Sequence, residues 1–172
     1  MPLQPDHALL LRDSTLRSYK NEQPVTQRVI EAIPLDKGGF KMDEVGWTAL
    51  DLAWHIVAAE HRFQDFVVTG TFDLTPTPRP AELDNSASLA RWYANTSAAD
   101  LVRVAALPGD ALIKELDFRG MFKAPAVSFL QLGLNHSIHH RGQLTMFLRP
   151  MGAKVPAIYG ESYDSKQAKA GA

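Results

Sequence analysis

The chain has no cysteine among its 172 residues, and that single absence removes disulfides, thiolate nucleophiles and zinc–thiolate sites together. Any metal site would have to be built from the nitrogen and oxygen ligands of His, Asp and Glu. Charge of one sign is missing too. Lys and Arg number 18 against 19 for Asp and Glu, without a long run of either, so the electrostatic footprint of a nucleic-acid binder is absent. Long apolar runs are also lacking: the cluster Ala8 to Leu11 is bounded by Asp6 and Arg12, which is too short for a signal peptide or a membrane span. The expectation is a soluble, cytoplasmic protein with neither nucleic acid nor membrane as a partner. No HExxH pattern occurs, so a metalloprotease with its built-in glutamate base is not supported.

The composition that is present, 45% hydrophobic and 22% charged, is that of a globular chain long enough to bury one core. A single domain over residues 1–172 is expected, with no internal repeat and no low-complexity segment.

Helical spacing dominates the pattern. Leu9, Leu16, Tyr19, Val29, Ile30 and Ile33 mark a first helix over residues 8–33, which Pro24 should break or kink by removing an amide donor. Pro34 and the Gly38-Gly39 pair end it. Thr48 can cap a second helix running to about Thr69, with Asp51 near its positive end. The stretch from Gly70 to Asp84, with Pro76, Pro78 and Pro80, reads as a crossover loop. Asn85 or Ser86 can start a third helix that Pro108-Gly109 stops. Residues 111–122 are ambiguous and suggest a short extended connection. Pro125 suits the first turn of a fourth long helix, which continues to Arg149 before Pro150 and Gly152. The fold class is therefore all-α, a four-helix bundle with one long crossover.

Residues four apart on a helix share a face, and His136 and His140 have that spacing. With His136 as zero, Phe129 and Phe147 fall near about 20°, His140 near about 40° and Leu144 near about 80°. Both imidazoles thus lie on an apolar stripe. His139 falls near about −60°, toward Gln131 and Asn135, and reads as a surface or supporting residue. On the second helix, Leu52, Ala59, Phe63 and Phe66 surround the direction of His55, whereas His61 projects elsewhere. A single buried histidine is more often a hydrogen-bonded core residue than a ligand. Three that converge are different, because neutral imidazoles bind divalent transition metals and three of them leave coordination positions open. Zinc and nickel head the candidates, followed by iron, manganese and copper.

The fourth helix carries a second apolar line, Val127, Leu134, Ile138 and Thr145. It must be buried either in a homodimer or against the third helix or the C-terminal tail. Trp47, Trp54 and Trp92 read as core or interface residues rather than as a substrate cage. Glu60 is rotated by about 140° from His55, so it is not named as a general base.

The run NHSIHHRGQLTMFLRPMG, from Asn135 to Gly152, resembles the signature helix of the DinB/YfiT-like metalloproteins. LDLAWHIVAAE, from Leu50 to Glu60, is similar to the family's second-helix segment, and KVPAIYGES, from Lys154 to Ser162, to a closing segment found in one of its branches. The resemblance implies a four-helix bundle, usually dimeric, with a three-histidine metal site mapping onto His55, His136 and His140. Arg141 and Gln143 match the motif as well. Arg141 reads as a surface salt-bridge residue before a substrate anion clamp, and Gln143 as a partner of a metal-bound water or of an imidazole. Relatives include mycothiol-dependent isomerases and bacillithiol transferases. The implied function is a metal-dependent enzyme, a thiol-dependent transferase or isomerase or a hydrolase, acting on a small molecule with a thiol among the candidates. The alternative is a non-catalytic dimeric stress protein that binds metal or a small ligand.

Overall fold

A computed structural model describes residues 2–73, 75 and 77–170; Pro76, one of the crossover prolines, lies outside the described residues. The elements are α1 (Pro5–Glu31), α2 (Ala49–Thr69), α3 (Ser86–Ala105), a short α4 (Gly109–Leu112), β1 (Glu115–Phe118), β2 (Phe122–Pro125), α5 (Ala126–Leu148) and α6 (Tyr163–Ala170). The four long helices, α1, α2, α3 and α5, form the bundle, and α5 is the fourth helix read from the sequence. Among the described residues no helix is long and apolar enough to cross a membrane.

Side-chain partners fix the helix directions. Ser86 donates to the Ile33 carbonyl while Arg12 donates to those of Ala105 and Leu107, so α1 and α3 are antiparallel. Tyr93 meets Glu60 and Arg103 meets Asp65, so α2 and α3 run parallel. Two parallel neighbours need a connection as long as the helices themselves, and residues 70–85 supply it by running back along α2. Trp54 Nε1 donates to the Thr77 carbonyl, Arg62 to the Thr75 carbonyl and the Thr77 hydroxyl, and Arg79 to Asp51. The loop is thereby tied to the outer face of α2.

Caps act where the sequence places them. Thr48 accepts from the Asp51 amide at 3.1 Å, Asn85 and Ser88 form a reciprocal capping box, and Gly70 closes α2 in the left-handed conformation with φ 79°. The expected break at Pro24 is absent, since α1 is continuous through it. Pro24 and Lys20 are both solvent-exposed, so water can satisfy the Lys20 carbonyl that Pro24 leaves unbonded. Tyr19, Gln23, Thr26 and Ile30 meanwhile bury one uninterrupted face.

The ambiguous stretch is an antiparallel hairpin pairing Phe118 with Phe122 and Leu116 with Ala124. Its tip places Arg119 and Gly120 at φ 62° and 73°, and Gly120 N–H bonds Asp117 Oδ1 at 2.6 Å. The N-terminal half of the second apolar line of α5 is covered within the chain, while Ile138 and Thr145 are half-buried. Val127 and Leu134 are buried in one cluster with Leu16 and Tyr19 of α1, and Ile138 packs against it. The covering element is therefore α1, rather than the third helix or the tail.

The antiparallel α2–α5 pair packs tightly at Gly133. A Cβ at Gly133 would sit 2.7 Å from Phe63 Cβ and 2.9 Å from the Tyr19 hydroxyl. Gly133→Ala should destabilise the protein by about 1–3 kcal/mol through overpacking, despite the roughly 1 kcal/mol that alanine gains in helix propensity. Urea unfolding checks the sign; a more stable variant would show that the two helices can separate at no cost.

Candidate metal centre

His55 comes from the second turn of α2, and His136 and His140 from successive turns of α5. Because the helices are antiparallel and pinned at Phe63 and Gly133, residues N-terminal to Phe63 meet residues C-terminal to Gly133. One ligating atom from each of the three rings lies within 4.8 Å of the others. His55 Nε2 and His136 Nε2 face each other at 3.2 Å. Ring centroids are 4.9 Å apart for His55 and His136, 4.6 Å for His55 and His140, and 4.3 Å for His136 and His140.

The donor set fits a divalent transition metal. Two nitrogens bound at about 2.0–2.1 Å to one tetrahedral ion lie roughly 3.3 Å apart, close to the observed Nε2 pair. Burial, reinforced by the neighbouring His140 and by Arg62, pushes the pKa of His55 down to about 4. Burial with His140, His55 and His139 does the same for His136, also to about 4. Both rings are thus neutral at pH 7, the form that ligates. The Gln143 oxygen lies 2.7 Å from His140 Nδ1. A carboxamide oxygen accepts only, so the proton sits on Nδ1 and the Nε2 lone pair is free. His136 Nδ1 is buried with no protein partner among the described residues.

Beside the histidines opens a cavity of about 680 Å³, with His55 and His136 in its wall. Trp47 stands over the site, its ring 4.5 Å from His55 and 6.2 Å from His140. It remains 49% exposed, so it is part of the cavity and not of the core. Trp54 is buried and tilts against the partly buried Trp92 at 5.1 Å, in keeping with a packing role. The opposite wall comes from the hairpin, where Phe118 stacks on Phe63 at 5.7 Å and meets Phe72 at 4.9 Å.

The remaining sequence candidates separate cleanly. His139 is exposed and outside the converging set. His61 points toward α3, where Asp100 binds its Nδ1 at 2.5 Å and raises its pKa. Glu60 is buried away from the cavity and accepts from Gln23 at 2.9 Å and Tyr93 at 3.0 Å; its burial pushes the carboxyl pKa up. Arg141 departs from the sequence reading. It does form a salt bridge, with Glu22 at 2.6 Å, but it is only 1% exposed and also binds Thr26 and Tyr159. It fastens α5 to α1 and the tail, which a helix-periodicity argument could not show because the tail has no period.

In metal-free protein, ring resonances of His55 and His136 should titrate near pH 4 in NMR. The unfolded chain protonates histidine near about 6.5, so unfolding takes up protons between those values. Stability contributed by these two rings is complete above about 6.5 and is lost as the pH falls toward 4. Midpoints near 6.5 would contradict the desolvated environment.

The DinB family model matches residues 6–170. Among curated proteins, YrdA of Bacillus subtilis is 29% identical over 157 residues, covering 86% of this chain and 87% of YrdA. YjoA of the same organism is 27% identical over 136 residues, covering 78% of this chain and 86% of YjoA. The crystal structure of YjoA, a DinB-like protein, superposes with a TM-score of 0.69 at 26% identity, covering 87% of this chain and 99% of that one. A DinB-like protein from Bacillus cereus gives 0.72 at 25% identity, covering 86% and 97%. With the family's pattern spanning nearly the whole chain and the same bundle recurring in these structures, the protein belongs to the DinB family.

Proposed function

We propose that the protein is a metal-dependent enzyme acting on a small molecule, with His55, His136 and His140 as the ligands of one divalent transition metal. The observation that carries this reading is the convergence of three imidazoles, with ligating atoms within 4.8 Å of one another, two of which, His55 and His136, stand in the wall of an open cavity. A bound divalent ion would act there as a Lewis acid and lower the pKa of a water or a thiol.

The chain's own residues do the rest. Burial keeps His55 and His136 deprotonated at neutral pH, and Gln143 holds the His140 ring in one tautomer. Trp47, Phe63, Phe72 and Phe118 line the cavity and lower the local dielectric, which strengthens electrostatic interactions within it. The absence of cysteine suits a scheme in which any reacting thiol arrives with a cosubstrate. All three ligands come from one chain, so a homodimer would not be needed to complete the site. Transfer or isomerisation using a thiol, or hydrolysis, are the reaction classes this arrangement serves; zinc and nickel are the first ions to test.

Elemental mass spectrometry on untagged protein tests the ligand set. Wild type should carry about one ion per chain after reconstitution with zinc or nickel, and His55→Ala, His136→Ala and His140→Ala should each lose it. Gln143→Ala should keep the ion but bind it about 10–100-fold more weakly. Folded wild-type protein that takes up no ion would overturn the proposal.

A further inference from the structure

We propose that the cavity beside the histidines accepts a small molecule with an apolar body and a negatively charged oxygen head, a carboxylate or a phosphate, and that Arg62 and Arg119 hold that head. The inference rests on the reading of this cavity as the substrate site.

Both guanidinium-bearing side chains line the cavity, one from α2 and the other from the hairpin tip. Neither has a carboxylate partner among the described residues. Arg62 spends its Nη2 on neutral acceptors, the Thr75 carbonyl at 3.1 Å and the Thr77 hydroxyl at 2.6 Å, which fixes its position and leaves its charge unpaired. Arg119 makes no hydrogen bond or ion pair among the described residues. The hairpin holds it at φ 62°, a left-handed conformation that residues with a Cβ rarely adopt.

The single acid in the cavity wall does not neutralise them. Asp51 is engaged by the Thr48 hydroxyl at 2.6 Å and by Arg79 at 3.4 Å, and the histidines of the wall are neutral. Arg62 and Arg119 share the cavity wall with His55 and His136, so their positive field faces the same space as the histidine cluster. Two further carboxylates lie near Arg62 in the adjoining cavity: Asp65, which is paired with Arg103 at 2.6 Å, and Asp73, which is exposed. An anion brought by the substrate would complete the charge balance, and a guanidinium binds carboxylate or phosphate oxygens through paired N–H donors. The aromatic remainder of the wall would take the apolar body. A volume of about 680 Å³ is that of a small-molecule site.

Trp47 and Trp54 lie in the cavity wall, so tryptophan fluorescence can follow binding. The probes are phenylacetate, phenylphosphonate and the neutral 2-phenylethanol, titrated into EDTA-treated protein and into zinc-loaded protein. In metal-free wild type, at least one anion should bind about tenfold or more tightly than the alcohol, equivalent to about 1.4 kcal/mol. Which anion binds better identifies the head group. Arg62→Gln and Arg119→Gln should each weaken anion binding about fivefold and leave the alcohol unchanged, with unaltered melting temperatures showing that the variants fold.

Equal affinity for anion and alcohol, no saturation by either anion below about 10 mM, or an anion preference that survives the double variant would overturn the proposal. A preference seen only with zinc and indifferent to both arginines would assign the anion to the ion, sinking this inference while leaving the metal site standing. An arginine-dependent preference in a protein that never binds metal would do the reverse.

Discussion

The close approach of α2 and α5 at Gly133 is the constraint on which the rest of the site depends. With no side chain there, the α5 backbone reaches the Cβ of Phe63, and the helices cross the core at a spacing that leaves room for imidazoles but little else. His140 follows Gly133 by seven residues and His55 precedes Phe63 by eight, so an antiparallel pairing pinned at this point brings them level, and His136, one turn before His140 on the same face, reaches His55 with its Nε2 at 3.2 Å.

The buried polar groups divide into two populations with different work. On the α1 and α3 side, Glu60 is surrounded by Gln23 and Tyr93, and Arg141 by Glu22, Thr26 and Tyr159. Together these groups join five segments distant in the sequence: α1, α2, α3, α5 and the tail. Burying such charges gains little net stability, but removing one partner would strand the other, so the cost of mispairing holds the helices in register. On the cavity side stand the half-buried histidines and Arg62 together with the exposed Arg119, set among aromatic rings and left with unused bonding capacity. The first population is satisfied internally; the second is directed at something outside the chain.

Much of this was legible in the residues. Period and capping gave the four long helices, because Thr48, Asn85, Gly70 and Pro125 act through local geometry that needs no tertiary information. Rotation about the helix axis separated His55 from His61 and His136 and His140 from His139, since a 100° step per residue is the same in any helix. What failed were inferences that depended on solvent or on neighbours. Pro24 does not break α1, because its consequences fall on an exposed carbonyl. Arg141 is buried, because a tail without periodicity folds over it. Trp47 belongs to the cavity, which only the docking of its loop beside α2 decides. The hairpin had a readable signal in Asp117 and Gly120, an aspartate and a glycine suited to a tight turn, but not its position. Arg62 and Arg119 had no signal at all until the crossover loop and hairpin were placed.

Two of the crossover loop's attachments to α2 run through its backbone. Trp54 and Arg62 reach the carbonyls of Thr77 and Thr75, groups that every amino acid possesses. Replacing the side chains along this strap leaves those two attachment points in place, and replacing either Trp54 or Arg62 alone would remove one and leave the other. The rim of the cavity can therefore diverge between relatives without loosening its hold on the bundle. Such an arrangement lets one scaffold explore new ligands by drift along a single segment, with the three histidines untouched beneath it.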